Sequence, residues 1–402
     1  MINIAKLGLY GMFLNYYPFH IMFGHMIPFG TYIFFAMIVI GVLGDASSKH
    51  IGIVCEKENR NWIIYLVVSL LTSILAISTS FALSSLWKYA IRVVLIIAVT
   101  YICREERSIM FAIRLLAVTS ILSATTAFMQ MSGLHGRLKL DSGADISVND
   151  FGSIMSYGCF AVILFFRYNR LKSNFWKMAL TLGSTLLLII EMFIAGSRKS
   201  FIAVVILYAL LLIFVWSKNL RIGKVISFLI LGAIVVLIAN KYLLPNLEET
   251  SLYQRMWGYK AEESLLSDDG RMKLYNLALS DFISHPIFGL GFDNFTYEHG
   301  NYTHSTYVDP IACSGLFALF YLIPYVTLFI KQWKRASFER KQSKEFLTEN
   351  EILVFYIMFL FIGVGIPYLY KDIPCIILGM MVAHQYIDKD VVLERAGEAN
   401  EW

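Results

Sequence analysis

The chain is dominated by apolar runs, many close to the roughly 20 residues a helix needs to cross a bilayer core. They fall near 7–25, 28–43, 62–80, 89–103, 108–131, 151–167, 176–194, 198–216, 223–244, 305–330, 352–370 and 373–387. A segment in lipid must satisfy its own backbone N–H and C=O groups, so each run reads as a helix. Composition agrees. Hydrophobic residues make up 57% of the chain and charged ones 16%, with a mean hydropathy of +0.63, whereas soluble domains carry about 25% charged residues. The fold class expected is an all-α polytopic membrane protein with about 12 transmembrane helices. One large extracytoplasmic loop, containing short helices, would interrupt them. No repeat of 20–50 residues is visible, and the first run is followed directly by another, which reads as an anchor rather than a leader.

Orientation follows from Lys and Arg in the short loops. Lys49, Lys57 and Arg60 share one loop, and Arg104 and Arg107 a second. A third carries Arg167, Arg170, Lys172 and Lys177, and a fourth Lys218, Arg221 and Lys224. The fifth runs from Lys331 to Lys344. With twelve spans these five lie on one side, which the charge rule makes the cytoplasm. Loops at 81–88, 132–150, 195–197, 245–304 and 371–372 then face out. The chain divides into N-terminal helices (1–244), the large outer loop (245–304), and C-terminal helices with a short tail (305–402). The net charge of +5 is absorbed by the inner loops and calls for no nucleic acid. Cys55, Cys103, Cys159, Cys313 and Cys375 have no metal-ligand spacing, so neither a disulfide framework nor a zinc site is expected.

Residues 268–310 gather the polar chemistry. Asp268, Asp269 and Gly270 signal a helix start. Met272, Tyr275, Ala278, Leu279, Phe282 and Ile283 then recur at helical spacing. His285-Pro286 stops that helix, because a residue before proline avoids the α region. Gly289 and Gly291 flank Leu290 in a tight turn. His304 follows, just ahead of the next apolar run. The next helix start is either Asp309-Pro310, as cap and first residue, or Thr306 with Asp309, as a capping box. Both leave His304 near a helix N-terminus. Its near-neutral pKa suits a general base or a phosphate donor, against the plainer reading of a boundary residue. Asp309 is a candidate to orient it.

Other candidates carry charge. Arg198 and Lys199 open a helix on the outer side, where the charge rule disfavours them. They read as an anion site rather than as snorkelling anchors. Arg271 is a candidate phosphate clamp, its fork matching two oxygens at once, against a weak surface pair with Asp268 or Asp269. Arg255 and Lys273 are weaker candidates for the same role. Glu191 is an intramembrane carboxylate, either functional or paired with Arg198. Lys88 and Arg92 would add positive charge near the outer face.

The motif resembles the O-antigen ligase and polysaccharide polymerase superfamily. The matching residues are Gly270-Arg271, the run from His285 through Pro286 to Gly289-Leu290-Gly291, and His304-Ser305-Thr306-Tyr307. The family often has Asn after its His, and here Ser305 stands there. The resemblance implies a membrane glycosyltransferase using a polyprenyl-pyrophosphate-linked oligosaccharide. Arg198 and Arg271 would hold the pyrophosphate, and His304 would activate the acceptor hydroxyl or assist the leaving group. The sequence adds that no P-loop and no Asp-x-Asp site appears. The donor must therefore bring its own leaving group, and no metal or other cofactor is expected. The favoured reading is a polymerase of lipid-linked repeat units in a bacterial inner membrane, with the site facing the periplasm or exterior. Membrane lipid, a chain-length regulator and a flippase of the same pathway are the expected partners. A ligase acting on lipid A core is the alternative. A secondary transporter or lipid-linked oligosaccharide flippase is the rival from another class.

Overall fold

A computed structural model describes residues 1–49, 56–130, 147–168, 174–216, 253, 268–338 and 347–387. Among these the fold is all-helical. The first elements are α1 (Ile2–Leu14), a π turn (Asn15–Phe19), α2 (His20–Phe23), α3 (Gly30–Ser48), α4 (Lys57–Thr72), α5 (Thr79–Ile102) and α6 (Glu106–Met129). Next come α7 (Val148–Arg167), α8 (Asn174–Ala195) and α9 (Arg198–Leu210), the last running into a second π turn (Leu211–Trp216). The C-terminal half holds α10 (Asp268–Ser284), α11 (Asn294–His299), α12 (Val308–Ser314), α13 (Ala318–Phe338), α14 (Glu349–Gly363) and α15 (Asp372–Gln385).

Seven helices among the described residues are long and apolar enough to cross a membrane. They are α3, α5 to α9, and the stretch Val308–Ser337. The chain is thus a multi-pass membrane protein. The remaining runs fall short for local reasons. Pro18 sits inside the π turn, where its missing N–H breaks the helical ladder of the first run. α4, α14 and α15 have 16, 15 and 14 residues, because each meets a turn at the end where the polar segments gather. The expected span at 223–244 lies outside the described residues, as do Cys55 and most of the expected outer loop 132–150. One expectation is corrected. Residues 81–88 are not an outer loop: α5 starts at Thr79, where the Ser78 hydroxyl accepts from the Phe81 N–H, and continues through Lys88 and Arg92. Ser84 and Ser85 spend their polarity on neighbouring groups, so the polar patch does not break the helix. Of the 245–304 loop, the described part is residue 253 and the stretch 268–304, which holds α10, the Gly-x-Gly turn, α11 and the segment leading to His304.

α7 is the central helix. Of its hydrophobic window 78% is buried, against 33% for α3, α8 and α9, which therefore present most of their surface to lipid. At one end of the bundle, ion pairs between buried carboxylates and partly exposed cations tie the helices: Lys331 to Glu58 at 2.7 Å, Arg335 to Glu349 at 3.2 Å, and Arg167 to Glu351. The other end gathers the starts of α7, α9 and α15 and the segment around His304. The long polar stretch is seated there by the core, because Phe292 inserts among Tyr65 and Tyr89, with ring centroids 6.3 and 5.5 Å away.

Candidate functional site

The Gly-x-Gly turn is a wedge. Leu290 and Gly291 donate their N–H groups to the carbonyls of Ala312 and Cys313 at 3.1 and 2.9 Å, and Leu316 donates to Pro286 at 2.8 Å. Gly289 and Gly291 have φ of +66° and +97°, a region glycine enters without strain. A Cβ on Gly289 would lie 2.4 Å from the Cys313 carbonyl carbon, and one on Gly291 would lie 2.2 Å from the Ala76 Cβ. The motif is glycine because the turn is pressed between the end of α12 and the α4–α5 connection. α10 packs on α12 through Ala278, Leu290, Phe295, Ala312 and Cys313. Its Tyr275 hydroxyl donates to the Val364 carbonyl at 3.1 Å.

The residues around His304 are pinned on both sides. The Thr303 N–H and hydroxyl both donate to Asp309 Oδ1 at 3.1 Å. Thr306 donates its N–H to the Gly363 carbonyl at 2.9 Å, and its hydroxyl bonds the Ile366 carbonyl and the Tyr368 N–H. Neither expected helix start forms. α12 begins at Val308 after Tyr307, and Ser305 Oγ accepts from the N–H groups of Tyr307 and Val308 at 3.2 and 3.4 Å. Ser305 thus serves the helix start. Asp309 is buried, and its carboxylate is spent on Thr303 and on the Tyr370 hydroxyl at 3.1 Å. Its expected contact with His304 gives way to holding the backbone next to it. Tyr370 also donates to Asp293 at 2.9 Å, extending this network to Ser85.

His304 itself is half-buried, in a left-handed conformation with φ of +60°. Outside glycine such a backbone costs about 1–3 kcal/mol and clusters at functional sites. Its ring lies against Tyr302, centroids 4.2 Å apart. Burial first, and then the positive charges of Arg271, Lys199 and Lys371, hold the imidazole below its ordinary pKa of 6.5. Those three cations come from the first turn of α10, the first turn of α9 and the residue before α15.

Lys199 lies against Gly365. A Cβ there would meet the Lys199 Nζ and Cδ at 2.8 Å, so the glycine makes room for it. The Nζ is shielded from solvent and has no hydrogen-bond partner among the described residues. Lys371 Nζ pairs with Asp150 Oδ2 at 2.6 Å. Arg198 is half-buried beside Lys199 at the start of α9. Lys273 is exposed on α10, and Arg255 lies outside the described residues. The expected pair between Glu191 and Arg198 does not form. Glu191 is fully buried within the bundle, with neither oxygen bonded among the described residues, while Arg198 sits at its edge. Lys371 was missed by the sequence reading, although it carries the signal that singled out Arg198 and Lys199: a basic residue where the charge rule disfavours one.

Residues 183–323 match the O-antigen ligase family model. The stretch runs from within α8 to within α13 and contains Arg198, Arg271 and His304. The resemblance read from the Gly-x-Gly and His304 motifs is borne out there, and the family is one of membrane glycosyltransferase-like enzymes. No curated protein matches the chain.

Proposed function

We propose that this protein polymerises polyprenyl-pyrophosphate-linked oligosaccharide repeat units at the outer face of a bacterial inner membrane. The observation that supports this most directly is the gathering of Arg271, Lys199 and Lys371 about a neutral His304. Lys199 is held there with no hydrogen-bond partner among the described residues. Fixed positive charge aimed at a leaving pyrophosphate stabilises the transition state without reorganisation, and charged hydrogen bonds to phosphate are the strong ones. In the step, the acceptor hydroxyl oxygen bonds to the donor's anomeric carbon. The bond from that carbon to the pyrophosphate oxygen breaks, and its electron pair leaves with the pyrophosphate. The hydroxyl proton passes to His304. Arg198, Arg271 and Lys199 hold the leaving group, and the reaction requires no metal or other cofactor. Ser305, in place of the family's usual Asn, favours polymerase over a ligase acting on lipid A core. A chain-length regulator and a flippase of the same pathway are the proposed partners.

The deciding experiment supplies purified protein with lipid-linked repeat units in the presence of EDTA. Ladders of elongated glycan are the expected product. A single transfer to lipid A core would make it a ligase, and restoration only by a divalent ion would overturn the metal-free step. A second expectation concerns pH. With the His304 pKa below 6.5, the imidazole is neutral and able to accept a proton at pH 7. Acid protonates it. kcat/KM, which reports the free enzyme, is therefore expected to fall as the pH drops through the His304 pKa. A profile that rises in acid would make the histidine a cationic pyrophosphate ligand instead.

A further inference from the structure

Asp293 and Asp309 meet at one hydroxyl. Tyr370 Oη lies 2.9 Å from Asp293 Oδ1 and 3.1 Å from Asp309 Oδ2. A tyrosine hydroxyl carries one proton, so it satisfies only one of the two. The other oxygen needs a proton of its own, or lone pairs face each other across that gap. We propose that Asp309 carries this proton: it is a carboxylic acid in the working enzyme, and as such a positioning residue that holds His304 against Lys371. The inference rests on the glycosyl-transfer reading above and names what keeps its base in place.

The count of donors places the proton. Asp293 is only partly buried and receives hydroxyls from Tyr370 and Thr296 on Oδ1, the latter at 2.8 Å, and from Ser85 on Oδ2 at 2.6 Å. Donors to both oxygens favour the ionised form. Asp309 is 1% exposed. Its Oδ1 receives the N–H and the hydroxyl of Thr303, but its Oδ2 meets only Tyr370. Among the described residues no Lys, Arg or His pairs with either carboxyl group. The titratable groups around Asp309 are Asp293, Tyr370, Tyr302, Tyr65 and Cys313, none of them a cation. Two carboxyl groups joined through one hydroxyl, with no cation between them, repel when both ionise, and one keeps its proton. Asp309 Oδ2 then donates to the Tyr370 oxygen, and Tyr370 donates to Asp293. Every oxygen in the chain is satisfied, as buried polar groups usually are.

This acid joins two parts of the site. Thr303 and Tyr370 are the residues just before His304 and Lys371. Asp309 thus ties the left-handed backbone at His304, φ +60°, to the segment whose Lys371 charge bears on the imidazole. Asparagine copies the acid, because its oxygen accepts from Thr303 and its NH2 donates to Tyr370. A carboxylate can only accept.

The test uses the full chain in detergent at neutral pH. The infrared difference spectrum between wild type and Asp309→Asn is expected to show a protonated-carboxyl C=O stretch that the variant lacks. Transfer by Asp309→Asn should stay within about twofold of wild type, since the hydrogen bonds are kept. Tyr370→Phe keeps the ring and cuts the bridge, and should lower transfer about two- to twelvefold, the equivalent of one neutral hydrogen bond. Its acid limb of kcat/KM should also move to higher pH, as Lys371 draws back from His304. No such band in the difference spectrum, or a tenfold loss in Asp309→Asn, overturns the carboxylic acid. An unchanged rate and acid limb in Tyr370→Phe overturns the positioning role. The band found in a wild type that transfers no glycan upholds the shared proton and defeats the polymerase reading.

Discussion

Alanine in place of His304, Arg271 or Arg198 is expected to lower glycan transfer roughly ten- to a hundredfold. That is the rate equivalent of one charged hydrogen bond, about 1.5–3 kcal/mol, lost from the transition state. Membrane insertion should be unchanged, because all three residues lie at the half-buried end of the bundle and not in its packed core. Arg271→Lys should also be impaired, since a point charge does not reproduce the fork that grips two phosphate oxygens. Lys273 supplies the control: it lies two residues along α10, is exposed, and its Ala variant should be close to wild type. Elongation measured at matched expression decides the matter. Near-normal chain growth by all three Ala variants would remove the site assignment.

Lys199→Met is expected to push stability and activity in opposite directions. The Lys199 Nζ is shielded from water without a hydrogen-bond partner among the described residues. A buried polar group left unsatisfied costs about 1–3 kcal/mol. Methionine keeps most of the length over Gly365 and removes the unsatisfied ammonium, so the thermal unfolding midpoint in detergent should rise. Transfer should fall about tenfold or more, because the pyrophosphate loses a charged partner. Such a trade is the mark of a group kept for its ligand rather than for the fold. A variant that melts lower than wild type and elongates glycan normally would make Lys199 a structural residue.

Much of this protein was legible before any coordinates. Membrane-length runs of apolar residues dictate helices because lipid offers a backbone no hydrogen-bond partners. The helices at 106–129, 148–167 and 174–195 lie within a few residues of where hydropathy puts them. The helix from Asp268 and its stop at His285-Pro286 were equally local, set by caps and by proline sterics. Gly289 and Gly291 announced a turn of unusual backbone, and His304 and Arg271 could be named from their motif.

Tertiary structure alone decided the rest. Hydropathy split the run at 81–88 because it saw Ser84, Ser85, Trp87 and Lys88, whereas in the fold Ser85 donates to Asp293, 208 residues away, at 2.6 Å. Asp309 read as a cap because capping is a rule of sequence neighbours, yet its carboxylate closes a loop on Thr303 and Tyr370. Glu191 and Arg198 are close in sequence, but one faces the core and the other its edge. The meeting of Lys199, Arg271 and Lys371 at His304 has no signature along the chain. Periodicity and capping act over a few residues, whereas electrostatic convergence depends on which helix ends the packing brings together.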